Sequence, residues 1–417
     1  VVSLSREAKA LNIRNGTPWF RCRDTLLRAG GEAFSSNYPL YHDLSRRLME
    51  RLSALCGPTE VYSIDEAFVL VKDGPRVEEE ARALRSELFR CQGIPVSIGI
   101  GATKTLAKAA NRLAKDKPDL EGVLLLPPHD PPALAGYLEQ LPIEDVWGIG
   151  RRLGYRLLAL GIRTAWQVRQ LPEFWVDHHL GGLPARRLWH ELHGRVCLPL
   201  MPRGHAHPQL ELRASRSFAQ PLVHLEDLER AAASRVAEAS ERLRQGQQVC
   251  GTLSLFVNTG PFARHPVSRL GSRAVSPPSS SPTRLVSLAR EILQEIFLPQ
   301  TPYRKLGVLL SDLQERKELS RPLFPDPSHL RQDVLAAAMD QINRKHGRNS
   351  LQLGLALPPP GRERIWDHRQ ERRSPRYTTC WEDIPLIPQH PPDKAMATRR
   401  APQPPPPQVD AIRARGL

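Results

Sequence analysis

The sequence predicts a multi-domain α/β protein. Three observations carry that reading. Helical and strand-like segments alternate over the first ~140 residues, a glycine-punctuated helical stretch follows at 146–171, and a β-α-β-loop-α-β order runs through 212–312. A chain of 417 residues is too long for one ordinary hydrophobic core.

Each element has a local reason. Leu44, Leu48, Leu52 and Leu55 make a helical stripe within Tyr41–Leu55. Residues 61–71, V-Y-S-I-D-E-A-F-V-L-V, are mostly apolar or β-branched and read as one strand with Asp65 and Glu66 at its middle. Glu78–Glu80 favour a helix start, and Ala81, Leu84, Leu88 and Cys91 then share one face. Pro95–Gly101 reads as a short strand, Thr103–Lys115 as a helix, and Gly122–Leu126 as a strand stopped by Pro127-Pro128. Residues 141–205 read as short helices. Beyond a Pro/His/Gly-rich stretch at 198–208 come strand-like R-A-S-R-S-F and a long helix, Leu225–Leu243. An alternating strand, V-C-G-T-L-S-L-F-V, follows, then a loop with P-P-S-S-S-P, a helix Arg284–Phe297 and a strand Lys305–Leu310. From Pro385 on, nine of 33 residues are proline, so the tail 386–417 is expected to be disordered.

Composition narrows the function classes. Lys plus Arg number 59 against 44 Asp plus Glu, a net charge of +15. That surplus points to a polyanionic partner, nucleic acid ahead of an anionic membrane. No run of 18 apolar residues suggests a membrane span, and Val1–Leu11 lacks the pattern of a signal peptide. The six cysteines are scattered without C-x-x-C, which argues against a disulfide framework or zinc site and fits a reducing cytoplasm. His178-His179 and His190/His193 lack thiol or carboxylate partners at ligand spacing and read as surface imidazoles.

The acid pair raises the chemical question. A buried charge costs several kcal/mol unless it is paired or bound to a cation. Asp65 and Glu66 therefore read as a solvated strand end, a structural ion pair, or a hard-cation site of the kind Mg²⁺ forms with one or two carboxylates plus phosphates. Successive strand residues face opposite ways, so both acids reach one site only if the chain turns at 65–66. Lys104, Lys108 and Lys115 fall within about 40° of one helix face, either solvated or turned toward phosphates.

Six motifs now carry a resemblance: E-A-K-A-L at 7–11, F-S-S-N-Y at 34–38, Y-S-I-D-E-A-F at 62–68, T-K-T-L-A-K at 103–108, V-W-G-I-G at 146–150 and S-P-R-Y-T-T at 374–379. In this order and spacing the chain resembles a Y-family, lesion-bypass DNA polymerase of the UmuC type, the catalytic subunit of bacterial DNA polymerase V. The resemblance spans nearly all of the chain to about residue 385. It implies fingers and a palm with an α/β sheet over 1–140, and a helical helix-hairpin-helix thumb over 141–205. It further implies a βαββαβ-like little finger over 212–312 and a UmuC-type extension over 332–385. The implied reaction is error-prone, template-directed nucleotidyl transfer by two-metal catalysis with Mg²⁺, in the SOS response. Asp65 and Glu66 would bind the metals, Lys9, Lys115 and, less strictly, Arg6 would contact the incoming triphosphate, and Ser63 would lie near the primer terminus.

The family carries a further catalytic aspartate in a first strand, followed by an aromatic residue that rejects ribonucleotides. Val1 already aligns with the fingers, and Asp24, the first aspartate, follows a different motif. The expectation is that the missing strand lies upstream of Val1 in a complete enzyme. The alternative is a catalytically incomplete protein that binds damaged DNA.

Val146–Leu171 resembles a helix-hairpin-helix, with Gly148 and Gly150 opening a tight turn to a phosphate, Arg151 and Arg152 adding charge, and Thr164 capping the next helix. Arg213, Arg216 and a basic loop around Arg264, Arg269 and Arg273 are candidates for tracking a backbone. Leu323 and Phe324 sit where relatives carry a sliding-clamp peptide, without its leading Gln. The implied partners are primer-template DNA and deoxynucleotide triphosphates, with a UmuD-like dimer, a RecA filament and a sliding clamp as further candidates. A helix-hairpin-helix nuclease or glycosylase using Glu144 or Asp145 is the remaining rival, and it leaves Tyr62–Phe68 unexplained.

Overall fold

The computed structural model describes residues 1–127, 130–202, 210–260, 263–318, 327–347, 349–358 and 370–386. The chain divides into two units, Val1–Gly204 with Arg372–Leu417, and His205–Glu371.

The first unit opens with α1 (Arg6–Ala10), capped by the Ser5 hydroxyl, and α2 (Trp19–Arg28). Asn37 caps α3 (Tyr38–Cys56), which Gly57 ends with a positive φ of 78°. β1 (Thr59–Val61) and β2 (Ala67–Val69) form an antiparallel hairpin, Thr59 opposite Val69 and Val61 opposite Ala67. α4 (Val77–Gln92) has the expected three glutamates in its first turn and ends at left-handed Gly93. β3 (Ile98–Ile100), α5 (Lys104–Asp116) and β4 (Val123–Leu125) make a parallel βαβ unit. Its packing explains two glycines. A Cβ at Gly99 would stand 2.1 Å from the Asn111 backbone nitrogen, and one at Gly101 would stand 2.7 Å from that of Ala107. Any side chain there would push α5 off the strand.

Val77, Ala81, Ile100 and Val123 form a small core under β3 and β4. A larger one runs from Leu106 and Leu113 on α5 through α6 (Pro131–Glu139), α7 (Arg151–Ala159), α8 (Ala165–Arg169) and α9 (Glu173–His179) to Leu188 and Leu192 on α10 (Gly182–Leu192). α5 and the helices after it thus share one apolar interior without a break near residue 140.

One expectation is corrected. Residues 61–71 are not a single strand: the chain turns over 62–66, so Asp65 is exposed and Glu66 half-buried. Asp65 is therefore hydrated, and Glu66, which is only partly exposed, has Lys108 against its carboxylate.

The second unit runs β5 (Glu211–Leu222), α11 (Leu225–Gln245), β6 (Gln248–Asn258), β7 (Ser268–Ser279), α12 (Pro282–Ile296) and β8 (Tyr303–Glu315). The four strands form an antiparallel sheet in the order β5-β8-β6-β7. Val236, Leu243, Leu285 and Ile292 from the helices bury against Leu253, Leu255, Leu306 and Val308. The order is β-α-β-β-α-β. The segment expected as a loop before α12 is an edge strand, and Arg269 and Arg273 stand on it. α13 (Pro327–His346) is tied to α11 by a paired ion contact, Arg244 Nε to Asp340 Oδ2 at 2.6 Å and Nη2 to Oδ1 at 2.7 Å. Leu323, Phe324 and the tail from residue 387 lie outside the described residues.

Candidate active site

The acid turn is built by its own residues. Tyr62 N–H and Ser63 N–H both donate to the Glu66 carbonyl, each at 3.0 Å. Ser63 Oγ donates to Asp65 Oδ1 at 2.6 Å and accepts from Asp65 N–H at 3.3 Å. This side-chain loop bends the chain without glycine or proline. From α3, the Ser45 hydroxyl donates to the Ile64 carbonyl, fixing the outside of the turn.

α5 holds the hairpin from the other side. Lys104 Nζ donates to Glu60 Oε2 at 2.6 Å and to the Pro199 carbonyl at 2.9 Å, and Lys108 Nζ donates to Glu66 Oε1 at 2.5 Å. The same ammonium groups stand over aromatic rings, Lys104 over Phe68 at 5.2 Å and Lys108 over Tyr62 at 5.6 Å. Trp147 completes the cluster. Its ring lies 5.6 Å from Tyr62 and 6.0 Å from Phe68, and its indole N–H donates to the Tyr62 hydroxyl at 3.2 Å.

The start of α5 is itself anchored. Thr103 Oγ1 accepts from Leu106 N–H and donates to the Glu191 carbonyl at 2.8 Å. The fully buried Glu191 carboxylate accepts from Thr105 N–H at 3.1 Å, Cys197 N–H at 2.7 Å and Leu198 N–H at 3.0 Å. A buried carboxylate is tolerated because three backbone donors and a helix N-terminus face it.

The structure therefore brings together Ser63, Asp65 and Glu66, with Lys108 beside them. Lys115 is exposed on α5 two turns further on, about 10 Å along the helix from Lys108. Arg6 and Lys9 are exposed on α1 and share no side-chain hydrogen bond or ion pair with the hairpin among the described residues. Sequence reasoning overlooked Glu60 and gave Trp147 no role. The signals were present: a lysine spacing of four, and a tryptophan inside V-W-G-I-G.

Two carboxylates in one exposed turn suit a single hard cation that shares phosphate oxygens with a substrate. Among the described residues no three His, Cys, Asp or Glu side chains gather into a metal-binding group.

Beyond Trp147, Gly148 turns at φ 94° and Gly150 is the N-cap of α7 without a side-chain cap, while Arg151 and Arg152 are exposed. Thr164 closes a capping box with Gln167 at the start of α8. Ile143 N–H to the Arg163 carbonyl at 2.8 Å and Ala165 N–H to the Leu141 carbonyl at 3.0 Å tie the segment before α7 to the one that follows it. In the second unit, Arg213 pairs with Glu211 at 3.0 Å and Arg273 with Glu295, so neither is an unopposed charge.

Comparison with known proteins agrees with this architecture. Residues 1–112 match the impB/mucB/samB family, 131–162 the helix-hairpin-helix motif of the same family, and 211–323 its C-terminal domain. Residues 333–387 match a domain of unknown function. The chain is 34% identical to Protein UmuC of Salmonella typhimurium, over 92% of this chain and 90% of that protein. It is 32% identical to Protein SamB of the same organism over 92% and 90%, and 27% identical to DNA polymerase IV of Desulfatibacillum aliphaticivorans over 84% and 86%. Among solved structures, a Y-family DNA polymerase chimera of Dbh and Dpo4 shares the fold, with a TM-score of 0.60 at 20% identity over 75% of this chain and 86% of the chimera. The chain belongs to the impB/mucB/samB family, as a UmuC-like member of the Y-family DNA polymerases.

Proposed function

We propose that this chain carries out template-directed nucleotidyl transfer past damaged bases, with the turn at 62–66 as the reaction centre. The observation that carries the reading is the convergence of Asp65, Glu66 and Ser63 on one exposed turn, locked between α3 and α5. Asp65 and Glu66 would hold Mg²⁺. When bound, that cation neutralises triphosphate charge and acidifies the primer 3′-hydroxyl. Lys115, Lys9 and Arg6, exposed and cationic, would grip the triphosphate, and Lys108 orients the Glu66 carboxylate. Two-metal catalysis belongs to this reading, with substrate phosphates supplying the remaining oxygens.

The unsatisfied first turn of α7, with Gly148, Gly150 and Arg151, suits a duplex phosphate. Residues 1–140 would act as fingers and palm, 141–205 as thumb, 212–312 as little finger and 332–385 as a C-terminal extension. A cytoplasmic role in the SOS response, with a UmuD-like dimer, a RecA filament and a sliding clamp as partners, rests on the family alone.

A second reading is a binder of damaged DNA that does not extend primers. Among the described residues no third acid joins the turn, which favours it because two-metal transfer ordinarily draws on more acids. Primer extension by this chain opposite an abasic site, with Mg²⁺, decides between them. The polymerase reading expects added nucleotides; salt-sensitive DNA binding without extension would establish the binder.

A further inference from the structure

Asn37 is polar and fully buried. Its side chain is satisfied from a distance of more than 300 residues along the chain. Nδ2 donates toward the Ser374 carbonyl at 2.8 Å, the Ser374 hydroxyl at 3.1 Å and the Pro375 carbonyl at 3.1 Å, while Oδ1 faces Leu40 N–H at 3.5 Å. Two residues earlier on each segment the backbone joins in. Ser35 N–H donates to the Arg372 carbonyl at 2.9 Å, and Ser35 bridges Arg373 in parallel. One turn later, the Thr378 hydroxyl is shut away from water without a well-formed hydrogen bond of its own, beside the Asp43 carboxylate. The segment closes on itself through Arg376 N–H to Asp383 Oδ2 at 2.9 Å and Arg376 Nε to the same oxygen at 3.1 Å. It is a shaped element seated on the N-terminal half of α3.

α3 depends on such polar anchors. Of its 19 residues only Leu40 and Met49 are buried, so apolar packing holds it thinly. The same helix reaches the acid turn: Ser45, two residues after Asp43, donates to the Ile64 carbonyl. A continuous path of hydrogen bonds and one helix therefore runs from Ser374 and Pro375 through Asn37 and Ser45 to the turn carrying Asp65 and Glu66.

We propose that residues 372–384 are a positioning strap: by seating the start of α3 they hold, through Ser45, the carboxylate turn in register. The functional part rests on the reading of that turn as the reaction centre. The strap touches no reacting group. It acts on the rate through the placement of Asp65 and Glu66 and leaves nucleotide binding by the exposed cations alone.

Two full-length variants test it. Asn37→Asp keeps the oxygen that faces Leu40 but sets an acceptor-only carboxylate against three oxygens, releasing the strap. Ser45→Ala cuts the path at its other end and leaves the strap seated. Both are expected to speed hydrogen exchange of the Tyr62 and Ser63 amides by about tenfold or more. Both should lower kcat for single-nucleotide insertion by about tenfold while KM stays within about twofold. Only Asn37→Asp should expose 372–386 to protease. A released strap with unchanged exchange at 62–63 overturns the inference, as does Ser45→Ala behaving as wild type. If the unmodified chain inserts no nucleotide, the polymerase reading fails, and the exchange rates still decide whether the strap positions the turn.

Discussion

Glu66 has a cation against it before any metal or substrate arrives. Lys108 sits 2.5 Å from its carboxylate, with the two side chains 20% and 31% exposed. A partly exposed pair of this kind is worth on the order of 1 kcal/mol, enough to compete with a divalent ion and too little to exclude it. Lys108→Met removes the competitor and keeps the aliphatic stem against Tyr62. The Mg²⁺ concentration for half-maximal extension should then fall by about two- to fivefold, read by titration at saturating nucleotide. A rise instead would mean that the lysine assists cation binding. Single residues also mark how far sequence reasoning reached. S-I-D-E identified the acids, but not their setting, because the bend is made by Ser63 and Asp65 side-chain and backbone bonds with no Gly, Pro or Asn to announce it. Asn37 lay inside the F-S-S-N-Y motif, but nothing in its spacing paired it with Ser374 at the other end of the chain.

At the scale of elements, α3 and α4 are joined by Arg51 Nη2 to Glu87 Oε1 at 2.6 Å. Arg51 first, then the Cys91 thiol and Arg90, hold the Glu87 carboxyl down at about 2, against an ordinary 4.5. The folded state thus binds its proton less tightly than the unfolded chain. The stabilisation is fully present above pH 4.5 and is lost as pH falls through about 2. Glu87→Gln should be less stable than wild type at neutral pH, and the gap should close between those limits, as followed by urea unfolding at several pH values. Helices with strong apolar stripes, α4, α5, α11 and α12, were legible within a few residues. β7 was not: Pro277 and Pro278 read as loop, yet an edge strand tolerates proline where no neighbour needs its N–H.

At the scale of the whole molecule, the +15 net charge pointed to a polyanionic partner and the ordered motifs made the family legible in the sequence, since six short patterns in register say more than any one of them. What stayed hidden was long-range: Trp147 packing on Tyr62 and Phe68, Glu191 capping α5, and the strap on α3 each join residues whose spacing carries no periodic signal. These contacts converge on the hairpin that carries Asp65 and Glu66. The most direct measurement compares wild type with Asp65→Asn, Glu66→Gln in parallel assays of primer-template affinity and Mg²⁺-dependent extension. With these carboxylates as the proposed metal ligands, DNA affinity should stay within about twofold and extension should fall by about 100-fold or more, because the double variant leaves the exposed cations proposed to grip phosphate unchanged. Extension at the wild-type rate by the double variant would contradict it and place the chemistry elsewhere in the chain.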